Sequence, residues 1–339
     1  MAAVLKAKPG LTLDGRFLLL EELARGGMST IFLAEDLENR PARVVVKVPL
    51  PIFSSGTGAW SIFQREEEIG LALDHPCVLK FVRLDTDTDP DHKRRRSYVV
   101  TEYVEGRTLA DLIAERAPLP EREALRIASR LCAAVQHVHD RGFVHYDLKP
   151  ANVMLGRDGT LRLIDFGLAH AAATARFVLA GRPPPIGSSD YVAPEQIRRK
   201  RGRPSVDIYG IGVIAYEMLT GRAPFPGDDP FAMASARVLG DPPAPRLLHP
   251  RISREAEEIV LRALRRDPLE RYPSAAAMQA ALDRPERVDV SNLCDRLVPV
   301  TPGRRRLRIA RTVLLVGVLP VAMQVALFLG LWGYLASRR

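Results

Sequence analysis

Short apolar runs with a period near two fill the first hundred residues. The runs at 17–23, 30–34 and 43–48 are broken by Gly, Asn and Pro and predict strands. Residues 59–73 read as a helix that stops before Asp74-His75-Pro76. Two further strands are expected at 79–84 and 97–103, joined by the polar loop DTDTDPDHKRRR, which reads as a solvated hairpin. Beyond this point the period changes. Leu125, Ala128, Leu131, Val135 and Val138 recur at helical spacing within 121–141. Residues 205–220 are apolar on every side, as in a central buried helix, and later helices are expected near 228–239, 253–266 and 274–283. A β-rich portion followed by a larger helical portion is an α+β plan with a cleft between the two.

The last pattern is a run without charge. Thr312 to Ala336 gives 25 such residues, which as a helix is about 37 Å long, enough to cross a bilayer with some tilt. Five arginines (304, 305, 306, 308 and 311) precede it and two follow. This excess predicts a single-pass inner-membrane protein with the bulk of the chain in the cytoplasm. Only Ser337-Arg338-Arg339 follow the span, so no extracytoplasmic sensor is expected, and the N-terminal residues lack the apolar stretch of a signal peptide. Pairing of the span into a homodimer stays open, because Gly330 and Gly333 do not form a GxxxG pair.

Composition removes other classes. With 47% hydrophobic and 26% charged residues among 339, the chain can bury a large core. Cys77, Cys132 and Cys294 are scattered, without CxxC or Cys/His clustering, which argues against a disulfide framework and a structural zinc. The net charge of +9 falls to +2 when the seven arginines of 304–339 are left out, so no nucleic-acid partner is expected.

Three segments carry candidate chemistry. Ala24-Arg25-Gly26-Gly27-Met28-Ser29-Thr30-Ile31 joins two strands, and small residues there let backbone N–H groups approach phosphate oxygens. Lys47 stands in an apolar strand, where a buried ammonium needs a carboxylate; Glu66, Glu67 and Glu68 on the next helix are candidates. Third, His145-Tyr146-Asp147-Leu148-Lys149-Pro150-Ala151-Asn152 precedes two short strands and Asp165-Phe166-Gly167. That order brings Asp147, Asn152 and Asp165 to one end of a hairpin, a set suited to Mg²⁺ with a triphosphate and to taking a proton from a hydroxyl.

These motifs, with Ala193-Pro194-Glu195, Asp207 and Arg271 in order behind them, resemble the eukaryotic-like (Hanks-type) protein serine/threonine kinases of bacteria in their membrane-anchored form. The resemblance covers roughly residues 11–284. It implies a bilobal protein-kinase-like fold with a β-rich N-lobe (11–103) and a helical C-lobe (104–284). A tail (1–10) precedes it; a basic juxtamembrane linker (285–311), the transmembrane helix (312–336) and a short tail (337–339) follow. It implies ATP and protein substrates as partners, Mg²⁺ or alternatively Mn²⁺ as the cation, and membrane lipid around 312–336. ATP would meet Leu23, Ala24, Arg25, Gly26, Gly27, Met28, Ser29, Ile31 and Met154, with Thr101 as gatekeeper and Glu102 to Val104 as hinge. Lys47 would contact phosphates and Glu66 would orient it. Asp147 would be the base, Lys149 would steady the γ-phosphate, and Asn152 and Asp165 would hold the metal. Glu195 with Arg271, and Asp207, would support the fold.

The sequence also departs from that pattern. Ala24 and Ser29 stand where glycines are usual, and Val45 where alanine is. Gly70 replaces an apolar residue one turn after Glu66, which predicts a loosely held helix. Tyr146 replaces the arginine that would grip a phosphorylated loop, so loop phosphorylation is expected to be dispensable. The basic run Arg198–Arg203 is expected to be a solvated loop or a lipid contact. An active kinase is the leading reading. A membrane-anchored pseudokinase serving as a nucleotide-binding or scaffold module is the alternative.

Overall fold

The computed structural model describes residues 7–26, 29–39, 42–50, 60–82, 98–167, 169–171, 189–198 and 203–299. The loop tip Gly27-Met28, the hairpin loop 85–96, Thr174 and Ser188, the middle of the basic run (199–202) and the span 312–336 lie outside these residues. Among the described residues no helix is long and apolar enough to cross a membrane.

Alternation along the first strands builds an antiparallel sheet in the order β1 (Thr12–Leu13), β2 (Phe17–Arg25), β3 (Ser29–Asp36), β4 (Ala42–Pro49) and β5 (Val99–Glu102). In β4, Val44, Val46 and Val48 are buried with Phe17, Leu19, Phe32, Ala34 and Val100 in one apolar cluster. Val45 and Lys47 therefore project from the opposite face, because successive strand side chains alternate. The strand expected at 79–84 is seen only through Val82. It bridges Phe81 to Thr101 and Val78 to Leu163, so one short segment ties the sheet to the second lobe.

Helix α1 (Trp60–Ala72) follows, close to its expected bounds. Its Ile69, with Leu73, packs with Val78, Phe81 and Val99 into the core of the helical lobe, not into the outer cluster of the sheet. The helical lobe holds β6 (Gly106–Thr108), α2 (Leu109–Arg116), α3 (Glu121–Asp140), β7 (Phe143–Val144), β8 (Val153–Gly156), β9 (Leu161–Leu163), β10 (His170–Ala171) and α4 (Pro194–Ile197). Then come α5 (Ser205–Thr220), α6 (Pro230–Leu239), α7 (Pro245–Leu248), α8 (Arg254–Ala263) and α9 (Ala275–Asp283). The helix α5 is buried almost throughout, and α3 and α8 pack against it. Helix α2 escaped the periodicity reading because it is only two turns long; Thr108 and Asp111 close its first turn as a capping box.

The chain past α9, expected to be a linker from 285, is docked as far as it is described. Ser291 and Leu293 donate their backbone N–H groups to the two oxygens of Glu258 on α8, at 3.2 and 3.1 Å. Val298 donates to Asp241 at 2.9 Å, and the Asp241 N–H returns a bond to the Val298 carbonyl. Both carboxylates are buried.

A chain ending at Arg284 leaves Glu258 and Asp241 without these donors. Hydrogen bonds to charged groups contribute about 1.5–3 kcal/mol each, partly offset by the cost of ordering the segment. The truncated chain should melt about 3–8 °C below one ending at Pro299, by differential scanning calorimetry.

Candidate active site

Lys47 reaches α1 from the cleft face of β4. Its Nζ donates to both oxygens of Glu66 at 2.8 Å and lies 3.4 Å from Asp165 Oδ1. Of the three candidate glutamates, Glu66 is thus the partner. It is 4% exposed, so the pair stands where an unpaired charge would be costly. Burial works against the Lys47 charge, but Asp165 and Glu66 outweigh it and hold the ammonium above the ordinary lysine range. Burial lifts Glu66 above the usual carboxylate range while Lys47 opposes that shift. Asp165 goes the other way: burial would raise it, but Lys47 and the Gly167 N–H hold it low and ionised.

The loop before β8 brings the remaining groups together. Lys149 Nζ donates to Asp147 Oδ2 at 2.7 Å, and Asn152 Nδ2 donates to the Asp147 carbonyl at 2.8 Å and to Oδ2 at 3.2 Å. The Ile164 N–H donates to the Asn152 carbonyl, which places this loop beside Asp165. Tyr146 and Asp165 both have φ of 65°, a left-handed conformation that costs a non-glycine residue roughly 1–2 kcal/mol. For Tyr146 the compensation is visible. Asp207 on α5 accepts the N–H groups of His145 at 2.8 Å and Tyr146 at 2.9 Å, and also contacts His139 Nε2 at 2.8 Å. Gln196 of α4 donates to the Tyr146 carbonyl. Burial, with Asp207 adding, pushes the Tyr146 phenol up to about 12, so it stays neutral. Below the loop, Arg271 forms a two-bond pair with Glu195 at 2.6 and 2.8 Å, both residues buried.

Asn152 uses its amide NH₂ on Asp147, which leaves its Oδ1 as the atom for a cation; Asp165 Oδ2 is the matching carboxylate oxygen. One or two carboxylates, an amide oxygen and substrate phosphates suit Mg²⁺. No cluster of three or more His, Cys, Asp or Glu able to hold a metal alone occurs among the described residues. The donor set fits a cation that arrives with phosphate.

The other nucleotide-site candidates are distributed as follows. Ala24 pairs with Ile31 and Ile31 with Lys47 across the sheet, while the Gly26 N–H closes a turn onto Ser29 O at 2.8 Å. Ser29 is buried, whereas Leu23 and Arg25 are exposed, and Arg25 is paired with Glu22. Thr101 is buried opposite Val45. The Glu102 carboxylate is turned onto Arg162 and the Lys80 N–H, both at 2.9 Å, and its own N–H donates to the Lys80 carbonyl at 2.9 Å. Val104 and Met154 are half-buried. Two shallow surface cavities of about 450 and 280 Å³ lie around Gly106 and Glu102–Glu105, and neither includes Lys47, Asp147 or Asp165.

Phe81 is a site residue that the pattern did not single out. Its ring lies over Gly70, where an added Cβ would come within 2.3 Å of ring carbons. The same ring meets Phe166, centroids 6.3 Å apart, and Phe166 meets His145 at 5.2 Å. Gly70 is therefore a close approach filled from the neighbouring segment, one turn from Glu66. The glycine was the signal; only the fold shows which residue answers it.

A family model for the protein kinase domain matches residues 17–282. The chain is 36% identical over 272 residues to the serine/threonine-protein kinase PknB of Mycolicibacterium smegmatis, covering 80% of this chain and 43% of the relative. It is 32% identical over 271 residues to the serine/threonine-protein kinase PrkC of Bacillus subtilis, covering 80% and 40%. A probable serine/threonine-protein kinase of Streptomyces coelicolor is 36% identical over 272 residues, with the same coverage of 80% and 40%. The chain thus spans less than half the length of these relatives.

At an exposed helical position Gly70→Ala would stabilise by about 1 kcal/mol. Here overpacking against Phe81 should reverse the sign and cost about 1–3 kcal/mol in urea denaturation. Combined with Phe81→Ala the alanine should add no further loss, so the double-mutant cycle should show strong coupling.

Proposed function

The chain belongs to the protein kinase domain family, and from that premise we propose that it is an ATP-dependent protein serine/threonine kinase. The observation that carries this reading is the joined pair of clusters, Lys47–Glu66–Asp165 and Asp147–Lys149–Asn152. They hold a cation for phosphate, an oxygen donor set for Mg²⁺ and the Asp147 carboxylate side by side. Similarity to relatives named serine/threonine-protein kinases supports the choice of hydroxyl acceptor.

In this mechanism Lys47, held upright by Glu66, receives the α- and β-phosphates. The segment 24–29 covers the phosphates, and the backbone of Glu102 to Val104 meets the adenine against Thr101, Ile31 and Met154. Asn152 Oδ1 and Asp165 would hold Mg²⁺, which supplies charge neutralisation on the phosphates when bound. Asp147 takes the proton from a substrate Ser or Thr hydroxyl as that oxygen attacks the γ-phosphorus. Lys149, now paired with Asp147, is placed to share its charge with the transferring phosphoryl group. We further propose that 312–336 anchors the chain in the inner membrane with this domain on the cytoplasmic side, on the strength of its uncharged length and flanking arginines.

The position usually held by a phosphate-gripping arginine is Tyr146, neutral and half-buried. Its backbone is fixed by Asp207 and Gln196. The catalytic loop is thus shaped by contacts that need no modification.

Full-length chain with Mg-ATP should transfer radiolabelled phosphate to a generic acceptor protein, and Asp147→Asn should lower that transfer about 10²–10⁴-fold. Nucleotide bound without transfer would instead indicate a scaffold module. Phosphatase treatment before the assay should leave the rate within about twofold; loss of turnover would refute the role given to Tyr146.

A further inference from the structure

Two imidazoles meet where the segment after α1 crosses α3. The rings of His75 and His137 lie with centroids 5.0 Å apart, tilted by 37°. His75 Nδ1 accepts the Cys77 N–H at 3.0 Å. On α3, His137 Nε2 accepts the Asp74 N–H at 3.1 Å, while its Nδ1 stands 3.0 Å from the Arg141 guanidinium. Donors thus face both nitrogens of His137. A neutral ring has one lone pair to offer them, and a protonated ring has none. Protonation likewise removes the acceptor that His75 presents to Cys77.

The charges around the pair come from three directions: Asp74 on the segment itself, Asp140 and Arg141 at the end of α3, and Arg162 on β9. Burial lowers His75, with Arg141 and Arg162 adding to it and Asp74 opposing. Burial also lowers His137, with Arg141 and His75 adding and Asp140 and Asp74 opposing. Both rings are held below the usual histidine range, yet both are only half-buried and within reach of solvent protons.

What the pair holds leads to the site on both sides. The Pro76 carbonyl accepts from Arg162, and the Cys77 carbonyl accepts the Leu163 N–H at 2.8 Å, two residues before Asp165. In the other direction the segment runs back into α1, which carries Glu66.

We propose that His75 and His137 form a proton-operated latch. Neutral, they hold the segment 74–77 against α3; protonated, they release it and loosen the seat of Glu66 beside Lys47. The consequence for phosphate transfer rests on the activity proposed above. The latched form binds fewer protons than the released form, whose rings titrate in the ordinary range. Acid therefore favours release: the latch is complete above that range and is lost as the pH falls through it toward the lower values of the latched rings. Two imidazolium rings in this contact, beside Arg141 and Arg162, also repel.

The test uses the full-length chain in detergent micelles. His75→Asn with His137→Gln places an amide oxygen near each accepting nitrogen without a titratable group. Amide hydrogen exchange is followed at Asp74 and Cys77 and corrected for the pH dependence of free-amide exchange. Between about pH 7.5 and about pH 5.5, protection should fall about tenfold or more in the wild type and stay within about twofold in the double variant. Unchanged protection in the wild type, or an equal fall in both, overturns the latch. Arg141→Gln removes the cation facing His137 and should move the loss of protection to higher pH. A midpoint that does not move overturns the electrostatic setting of the latch, whether or not the double variant folds. Phosphate transfer from Mg-ATP to a generic acceptor is then measured at the same two pH values. The ratio of neutral to acid rate should be about threefold or more larger for the wild type, since the acid response of Asp147 is common to both chains. Equal ratios overturn the coupling to Glu66. Absence of transfer at either pH, with protection behaving as expected, removes the kinase reading and leaves the latch standing.

Discussion

A lysine inside an apolar strand must find negative charge, and here the charge comes from two other elements. Lys47 is fixed by the alternation of β4, Glu66 by one face of α1, and Asp165 by the turn after β9. Glu66 is buried and Lys47 largely so, and neither is tolerable alone in that setting, so the ion cluster forms only when sheet, helix and hairpin are all in place. Stability and chemical competence are in this sense one condition. The arrangement that satisfies the buried lysine is the one proposed above to receive a phosphate.

The second support comes from the opposite direction. The helix α5 is apolar on every side and is buried accordingly, yet it carries Asp207 at its first turn. That carboxylate has two backbone N–H groups of the catalytic loop as donors, which holds Tyr146 in a left-handed conformation. The strain of the loop is thus balanced by a buried charge from a helix that is itself buried almost throughout. Glu195 and Arg271 repeat the device one layer further out, tying α4 to the turn before α9. The loop 145–152 is shaped from behind, by groups on α5 and α4.

The two lobes are not independent bodies joined by a hinge. Ile69 of α1 and Leu73 just past its end share a core with the helical lobe, and Phe81 spans the junction between Gly70 and Phe166. The glycine that suggests a weak helix in the sequence is, in the fold, a slot shaped for an aromatic ring. The segment after α9 makes a similar point. Its place between the helical lobe and the uncharged run reads as linker, but its backbone satisfies two buried carboxylates, a function no composition displays.

Much of this was legible in one dimension. Periodicity placed β2 to β5, α1, α3, α5, α6, α8 and α9 near their observed bounds, since each buries one regular face or, for α5, all of them. The short elements α2, α4 and α7 were not legible, because two turns or fewer carry too little pattern. The sequence by itself determined which chemical groups exist and in what order: Lys47, Asp147, Asn152 and Asp165 were identifiable from type and spacing, with Glu66, Glu67 and Glu68 as candidate partners of the lysine. Only the tertiary structure decided which glutamate meets the lysine, that Glu102 turns its carboxylate onto Arg162, that Phe81 fills Gly70, and that Glu258 clasps Ser291. Those choices depend on contacts between residues far apart in the chain, and local pattern records a side chain's own needs but not the identity of the partner that meets them.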